Sequence, residues 1–203
     1  HRVEFFNLMR AINLHCFPAL LKLDNNQFKF VIDSCSWAFK HDNRDVEAAG
    51  LNMALELINN IAKKTDVQTA NAFFQRFFIT ILQDVFFVVT DNDHKAGFKT
   101  QSMLLMKLFY YINPADGTQP KIQGPIYTPD QAQAGTDNRE FVANFVANLL
   151  QNAFRNLQAC VLSLPIYVIM LTYNTGAKSQ ALSKACLRLT RSTISSDSTS
   201  VIS

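Results

Sequence analysis

A chain of 203 residues that is 48% hydrophobic, with 17 Phe against 6 Gly and 6 Pro, can bury a substantial core and is not a disordered or collagen-like polymer. Its net charge of +3 does not mark a nucleic-acid binder, because the 15 basic and 15 acidic residues of positions 1–158 cancel and the whole excess falls after Gln158. The opening HRVEFFNLMR mixes charged and apolar residues at helical spacing, where a signal peptide has a basic start and an unbroken apolar core, so the chain reads as not secreted.

The periodicity is helical nearly throughout. Val3, Phe5, Phe6, Met9 and Ile12 recur at three- and four-residue steps and continue to Leu20 and Leu21, with Pro18 expected to bend or break the helix. Asp24-Asn25-Asn26 supplies a stop and an N-cap for a second helix, about 27–40, with Phe28, Val31, Ile32, Cys35 and Phe39 on its buried side. A third helix spans about 45–64 and carries Val46, Leu51, Leu55, Ile58 and Ile61. Thr65-Asp66 ends it and caps a fourth, about 67–89, crowded with Phe73, Phe74, Phe77, Phe78, Ile81, Leu82, Val85 and Phe86. A fifth, about 98–111, presents Met103, Leu104, Met106, Leu108 and Phe109. Residues 113–137, rich in Pro, Gly and Gln, read as a long surface loop. A sixth helix over about 138–154 shows Phe141, Val142, Phe145, Leu149 and Leu150.

Nothing in this pattern recommends catalysis, and the expectation is a chain without enzyme activity, catalytic residues, cofactor or metal. Cys16, Cys35, Cys160 and Cys186 are far apart and form no zinc-type spacing; Cys16 and Cys35 sit in apolar periodic segments and read as reduced core residues. His41 and His94 lie in turns beside Asp42 and Asp93, where each reads as a turn residue bonding its neighbours, because no nucleophile stands next to either. The glycines form no phosphate-binding loop, the carboxylates occur singly, and Trp37 reads as a core anchor.

The turns repeat. Asp42-Asn43 opens HDNRDVEAAGLNMALELI and Asp91-Asn92 opens DNDHKAGFKTQSMLLMKLF, an offset of 49 residues that is close to a two-helix HEAT unit. Such a hairpin cannot bury its apolar face alone, so neighbours stack. The girdle of apolar residues around the Phe-rich fourth helix fits a layer covered on both sides. A chain opening at His1, without an initiator Met, reads as a fragment or processed product and is expected to expose the face that a preceding repeat covers. The same periodicity permits an ordinary helical bundle, and periodicity alone does not separate the two.

Longer strings carry a resemblance. CSWAFKHDNRDVEAAGL at 35–51, HCFPALL at 15–21, FFVVTDNDHKAGF at 86–98 and EFVANFVANLLQNAF at 140–154 resemble the C-terminal region of the exportin-1 family of karyopherins, fungal versions most closely. The resemblance runs from His1 to about Gln158. It implies an all-α solenoid of stacked HEAT hairpins belonging to a nuclear export receptor. That receptor binds Ran in its GTP form together with leucine-rich export-signal cargo, meets nucleoporins, and shuttles between nucleus and cytoplasm, with no direct contact to nucleic acid or membrane. The export-signal groove and its reactive cysteine are implied to lie upstream, so neither is assigned to Cys35 or any other residue here. This segment is implied to be the closing set of repeats. A HEAT scaffold or adaptor without transport activity is the alternative.

Residues 159–203 depart from the family pattern. The apolar run after Ala159 is short and interrupted by Pro165, and does not span a membrane. Read in a shifted frame from the last base of Lys184, the codons of 184–203 permit GLFTLNTKYDKFRLDLRDF, an amphipathic string like the family's next repeat. Residues 159–183 are therefore expected to translate a retained intron and the rest to be out of frame. The tail is expected to be disordered or poorly packed. Sequencing the spliced transcript tests this.

Overall fold

The computed structural model describes residues 1–153 apart from 92, 115, 129 and 132–135. Among the described residues every regular element is helical: α1 (Arg2–His15), α2 (Phe17–Leu20), α3 (Asn25–Phe39), α4 (Arg44–Lys64), α5 (Val67–Thr90), α6 (Phe98–Ile112) and α7 (Asn138–Ala153), with one 3₁₀ turn at Lys95–Gly97. The chain divides into His1–Phe141 and Val142–Ser203; of the second unit only the remainder of α7 is described. The tail expected to begin at Ala159 lies outside the described residues.

Local chemistry sets the helix ends. The Asp24 carboxylate accepts from the N–H groups of Asn26 and Gln27 while the Gln27 side chain accepts from the Asp24 N–H, a reciprocal cap on α3. Asn43 accepts from the N–H groups of Asp45 and Val46 and starts α4; Asp66 accepts from the Thr69 N–H and starts α5. Pro18 breaks the first helix as expected, but from a distance. α1 stops at His15 and Pro18 falls in the first turn of α2, because a proline ring there collides with the carbonyl four residues back and its missing N–H is harmless only at a new helix start.

The helices of the first unit form two layers. α4 packs against α1 on one side and α6 on the other, so α1, α4 and α6 share a layer; α3 and α5 pack side by side in the second. The layers are joined by hairpins, α3 with α4 across residues 40–43 and α5 with α6 across residues 91–97. The 49-residue offset of the sequence falls between these two turns, which are built differently: Asn43 caps the start of α4, whereas Asp91 stands at the end of α5 and a 3₁₀ turn intervenes before α6. Asn43 and Asp91 still each fold a side-chain oxygen onto the N–H two residues ahead, on Asp45 and Asp93. A staggered double layer with α1 preceding two complete hairpins is the arrangement of a HEAT-type solenoid.

The core runs along α4, α5 and α6. Leu51, Met53, Leu57, Ile58, Phe74, Phe78, Leu82, Leu104 and Leu108 are inaccessible to solvent, and burial of each contributes about 1.5–3 kcal/mol. By length and composition α5 could cross a bilayer, but half of its most apolar stretch is buried inside the fold, where it meets α3 and α6.

Four expectations need correction. Trp37 is not a core anchor: it is 49% exposed. Its position on α3 falls on the helix face away from α4 and α5, as does that of Phe30. Cys16 is not a core residue either, since it forms the exposed break between α1 and α2; Cys35 is buried. On α6 the buried face is formed by Leu104, Leu105, Leu108, Phe109, Tyr111 and Ile112, while Met103 is exposed and Met106 only half-buried. The stretch 113–137 is a loop, yet part of it is docked. Ile122, Ile126 and Tyr127 are buried, the Gln123 N–H donates to Asn71 Oδ1 and the Ile122 N–H to the Tyr111 carbonyl. Asn138 closes the same segment from the start of α7, accepting from the Ile126 N–H and donating to the Gly124 carbonyl.

Candidate partner-binding surface

Two places in the first unit hold side chains that the core does not use. The first is an open groove of about 520 Å³ between α1 and α3, lined by His1, Arg2, Phe5, Phe6, Phe30, Asp33, Ser34 and Trp37. Only Phe6 of its aromatic residues is fully buried; Phe5 is 46% exposed and Phe30 68%. The groove exists because α3 carries aromatic residues on two faces. Phe28 points inward, making edge contacts with Phe73 and lying beside Phe77, while Phe30 and Trp37 line up seven residues apart on the opposite side. Arg2 lies over the Trp37 ring at 5.4 Å and His41 meets its edge at 4.8 Å; Asp33 is paired with Lys29 at 2.5 Å. The rim is therefore polar and the floor apolar, the make-up of a surface that packs against another helix.

The second place is buried and polar. Glu47, in the first turn of α4, is 2% exposed and Gln101 on α6 is fully buried. Gln101 Nε2 donates to Glu47 Oε1 at 2.9 Å and to the His94 carbonyl at 3.0 Å, and His94 Nδ1 lies 3.6 Å from Glu47 Oε2. Gly97 makes room, since a Cβ there would stand 2.3 Å from Glu47 Oε1. The network ties the turn after α5 to the neighbouring hairpin.

Neither place is a catalytic constellation. His94 faces Glu47 and not its sequence neighbour Asp93; His41 Nδ1 accepts from the Asn43 N–H, as a turn residue does. No group of three or more potential metal ligands occurs among the described residues. Sequence pattern missed Glu47 and Gln101, which look like ordinary solvated helix residues. The available signal was that both fall in phase with buried apolar positions, Glu47 with Leu51 and Ala54 and Gln101 with Leu104 and Leu108.

The comparisons with known proteins match this architecture. The family described as CRM1 C terminal matches residues 1–183. Exportin-1 of Schizosaccharomyces pombe is 48% identical over 158 residues, covering 78% of this chain and 14% of that protein. Protein EXPORTIN 1A of Arabidopsis thaliana is 38% identical over 162 residues, with the same coverage of each, and Exportin-1 of Dictyostelium discoideum is 37% identical over 150 residues, 74% of this chain and 13% of that one. The chain thus spans about 14% of the length of the first of these relatives. Its all-helical double layer, its repeated turns and the match over residues 1–183 agree, and the chain belongs to the CRM1 C-terminal family.

Proposed function

We propose that this chain supplies the closing helical repeats of a nuclear export receptor that binds leucine-rich export-signal cargo together with Ran in its GTP form and carries both through the nuclear pore. The observation that carries the proposal is the stacked double layer of α1, α3, α4, α5 and α6 in a chain whose relatives are named Exportin-1. The segment works by contact and not by turnover: its polar network staples one hairpin to the next, and its unspent side chains are aromatic and lie in an open groove. Cargo is held by repeats outside this chain, nucleoporins are met during passage, and the protein shuttles between nucleus and cytoplasm.

A solenoid suits such a task because each hairpin contacts only its neighbours, so ligands spread over many repeats are coupled through small changes in stacking. The test is a pull-down with the full-length protein and Ran loaded with a non-hydrolysable GTP analogue or with GDP. Binding selective for the GTP form, strengthened by a leucine-rich export peptide, is the expected result, since coupling between two ligands is reciprocal. Binding to neither form would leave a HEAT scaffold and overturn the transport reading.

A further inference from the structure

Asp116-Gly117 is the only Asp-Gly or Asn-Gly step in the 203 residues. It lies in an exposed turn after α6, between two backbone anchors: the Asn113 N–H donates to the Phe109 carbonyl and the Ile122 N–H to the Tyr111 carbonyl. Gly117 has φ +74°, and a Cβ built there would meet nothing within 4 Å. Its amide nitrogen therefore follows Asp116 with no side chain and no packed neighbour to shield it. The Asp116 carboxylate, by contrast, is bonded at both oxygens. Oδ1 accepts from the Thr118 hydroxyl at 2.7 Å and from the Thr118 N–H at 3.1 Å, and Oδ2 accepts from the Tyr110 hydroxyl at 3.1 Å. These donors favour the ionised carboxyl, Thr118 most strongly.

We propose that Asp116 is a site of spontaneous isomerisation to isoaspartate, and that Thr118 and Tyr110 are positioning residues that hold this reaction back. In the reaction the Gly117 nitrogen bonds to Asp116 Cγ and gives up its proton as a carboxyl oxygen leaves in water, closing a five-membered succinimide. Water then adds back to the ring. If the bond from nitrogen to Cγ breaks, aspartate returns. If the bond from nitrogen to the former main-chain carbonyl carbon breaks, the chain runs on through Cγ and a free α-carboxylate remains. One water leaves and one enters, with no change of oxidation state. Only a protonated carboxyl sheds its oxygen readily as water; a carboxylate repels the attacking lone pair and would have to expel oxide. The three donors oppose the step twice over, because they keep the carboxyl ionised and turn both of its oxygens toward Thr118 and Tyr110. Once formed, isoaspartate puts an extra methylene into the main chain of the turn, so the side-chain-to-backbone bond from residue 116 to residue 118 no longer closes as before.

The experiment ages the purified 203-residue chain and a free peptide of residues 108–121 side by side for weeks at neutral pH. Isoaspartate is counted after tryptic digestion with an isoaspartate-specific carboxyl methyltransferase and radiolabelled S-adenosylmethionine. There the freed α-carboxylate oxygen bonds to the methyl carbon as the carbon–sulfur bond breaks. Fragment-ion mass spectrometry of the tryptic peptide 108–121 locates the label, which is expected on residue 116 and to form several-fold faster in the free peptide than in the chain. Thr118→Val is expected to speed the chain several-fold and Tyr110→Phe to speed it less, while Thr118→Ser, which keeps the hydroxyl donor, leaves it slow. Asp116→Glu, which would have to close a larger ring, is expected to remove the label. No label on residue 116 in either peptide or chain would overturn the site. Equal rates in peptide and chain, or a Thr118→Val chain that ages as slowly as the parent, would overturn the restraint. So would a Thr118→Ser chain as fast as Thr118→Val, since the hydroxyl would then not be what holds the carboxyl.

Discussion

Gly50 in α4 lies directly against Ala38 in α3, so close that a Cβ built on Gly50 would stand 2.3 Å from the Ala38 Cβ. The wall is stiff, because the next nearest atoms are the Ala38 Cα and the Cys35 carbonyl oxygen, both at 3.5 Å. This is where the hairpin is narrowest, and it sets two effects against each other. Replacing an interior helical glycine with alanine gains about 1 kcal/mol of helix propensity. Overpacking a rigid contact costs about 1–3 kcal/mol. With no flexible side chain to yield, the clash wins, and Gly50→Ala is expected to lower stability by about 1–2 kcal/mol. Denaturant unfolding of Gly50→Ala, Ala38→Gly and the double variant checks this: the double variant recovers most of the loss if the contact is the cause, and simple additivity would refute it.

Gln101 is the donor that makes burial of Glu47 tolerable. Gln101→Leu keeps the volume but strips the donor from a carboxylate that is 2% exposed and from the His94 carbonyl. Leaving such groups buried and unpaired costs about 2–3 kcal/mol. Replacing both members by apolar residues, Glu47→Met with Gln101→Leu, is expected to cost less than Gln101→Leu alone. A double-mutant cycle read by thermal melting decides it; equal losses in the single and double variants would show that the hydrogen bond contributes nothing.

Acid sensitivity should arise in part at two hydrogen-bonded carboxyls, Asp66 at the cap of α5 and Asp116 in the loop after α6. The Thr69 N–H and hydroxyl, at 2.9 and 2.7 Å, hold the Asp66 carboxyl below its ordinary value of 3.8. Thr118 does the same for Asp116 through its hydroxyl and N–H. A depressed folded value means that the folded state binds that proton less readily than the unfolded state. The stabilisation is complete above pH 3.8 and is lost as pH falls below it toward the folded value. Asp66→Asn keeps an acceptor at the cap but removes the titration. Its melting temperature is expected to fall less steeply than that of the parent chain below about pH 4; parallel acid arms would exclude Asp66 as a contributor.

These sites show what the sequence makes legible. Helix positions were readable because capping residues and periodic apolar residues agree at Asp24, Asn43 and Asp66, and the two hairpin turns were readable because Asp42-Asn43 recurs as Asp91-Asn92. What escaped were features of neighbour packing. Periodicity says which residues lie on one helix face but not whether a second helix covers that face, so Trp37 read as a core anchor although no neighbour covers it. Likewise Glu47 and Gln101 are polar letters at core-phase positions, and only the approach of α4 to α6 shows that Gln101 donates to Glu47. The docking of Ile122 and Tyr127 was hidden because a stretch rich in Pro and Gly has no period to read.

Trp37 offers a direct optical test of the groove. It is the one tryptophan in the chain, half exposed, and stacked under Arg2 at the groove wall. Its emission is expected to be red-shifted and readily quenched by acrylamide in this chain. If α1 and α3 stack on a further hairpin in the longer relatives, a version extended upstream by one repeat should shift the emission to the blue and reduce quenching. Equal quenching in both versions would show that the groove is not a stacking face.

Thiol chemistry separates the two described cysteines. Cys35 lies against α4 and burial alone pushes its thiol up to about 12, whereas Cys16 stands exposed at the break between α1 and α2. Alkylation needs the thiolate and access to it. At pH 8 a thiol with a value near 12 is ionised to only about 1 part in 10⁴, and its buried position slows attack further. Iodoacetamide is therefore expected to modify Cys16 within minutes while Cys35 waits for unfolding, a difference of at least about 100-fold in rate read by mass spectrometry of the separate tryptic peptides. Urea at its unfolding concentration should bring the two rates together. In the absence of urea the Cys35 rate is governed by how often α3 parts from α4. The Cys35 rate then becomes a measure of hairpin opening, and Gly50→Ala, which strains that same seam, is expected to raise it. A Cys35 that reacts as fast as Cys16 in the folded chain would mean that the α3–α4 seam is not closed in solution.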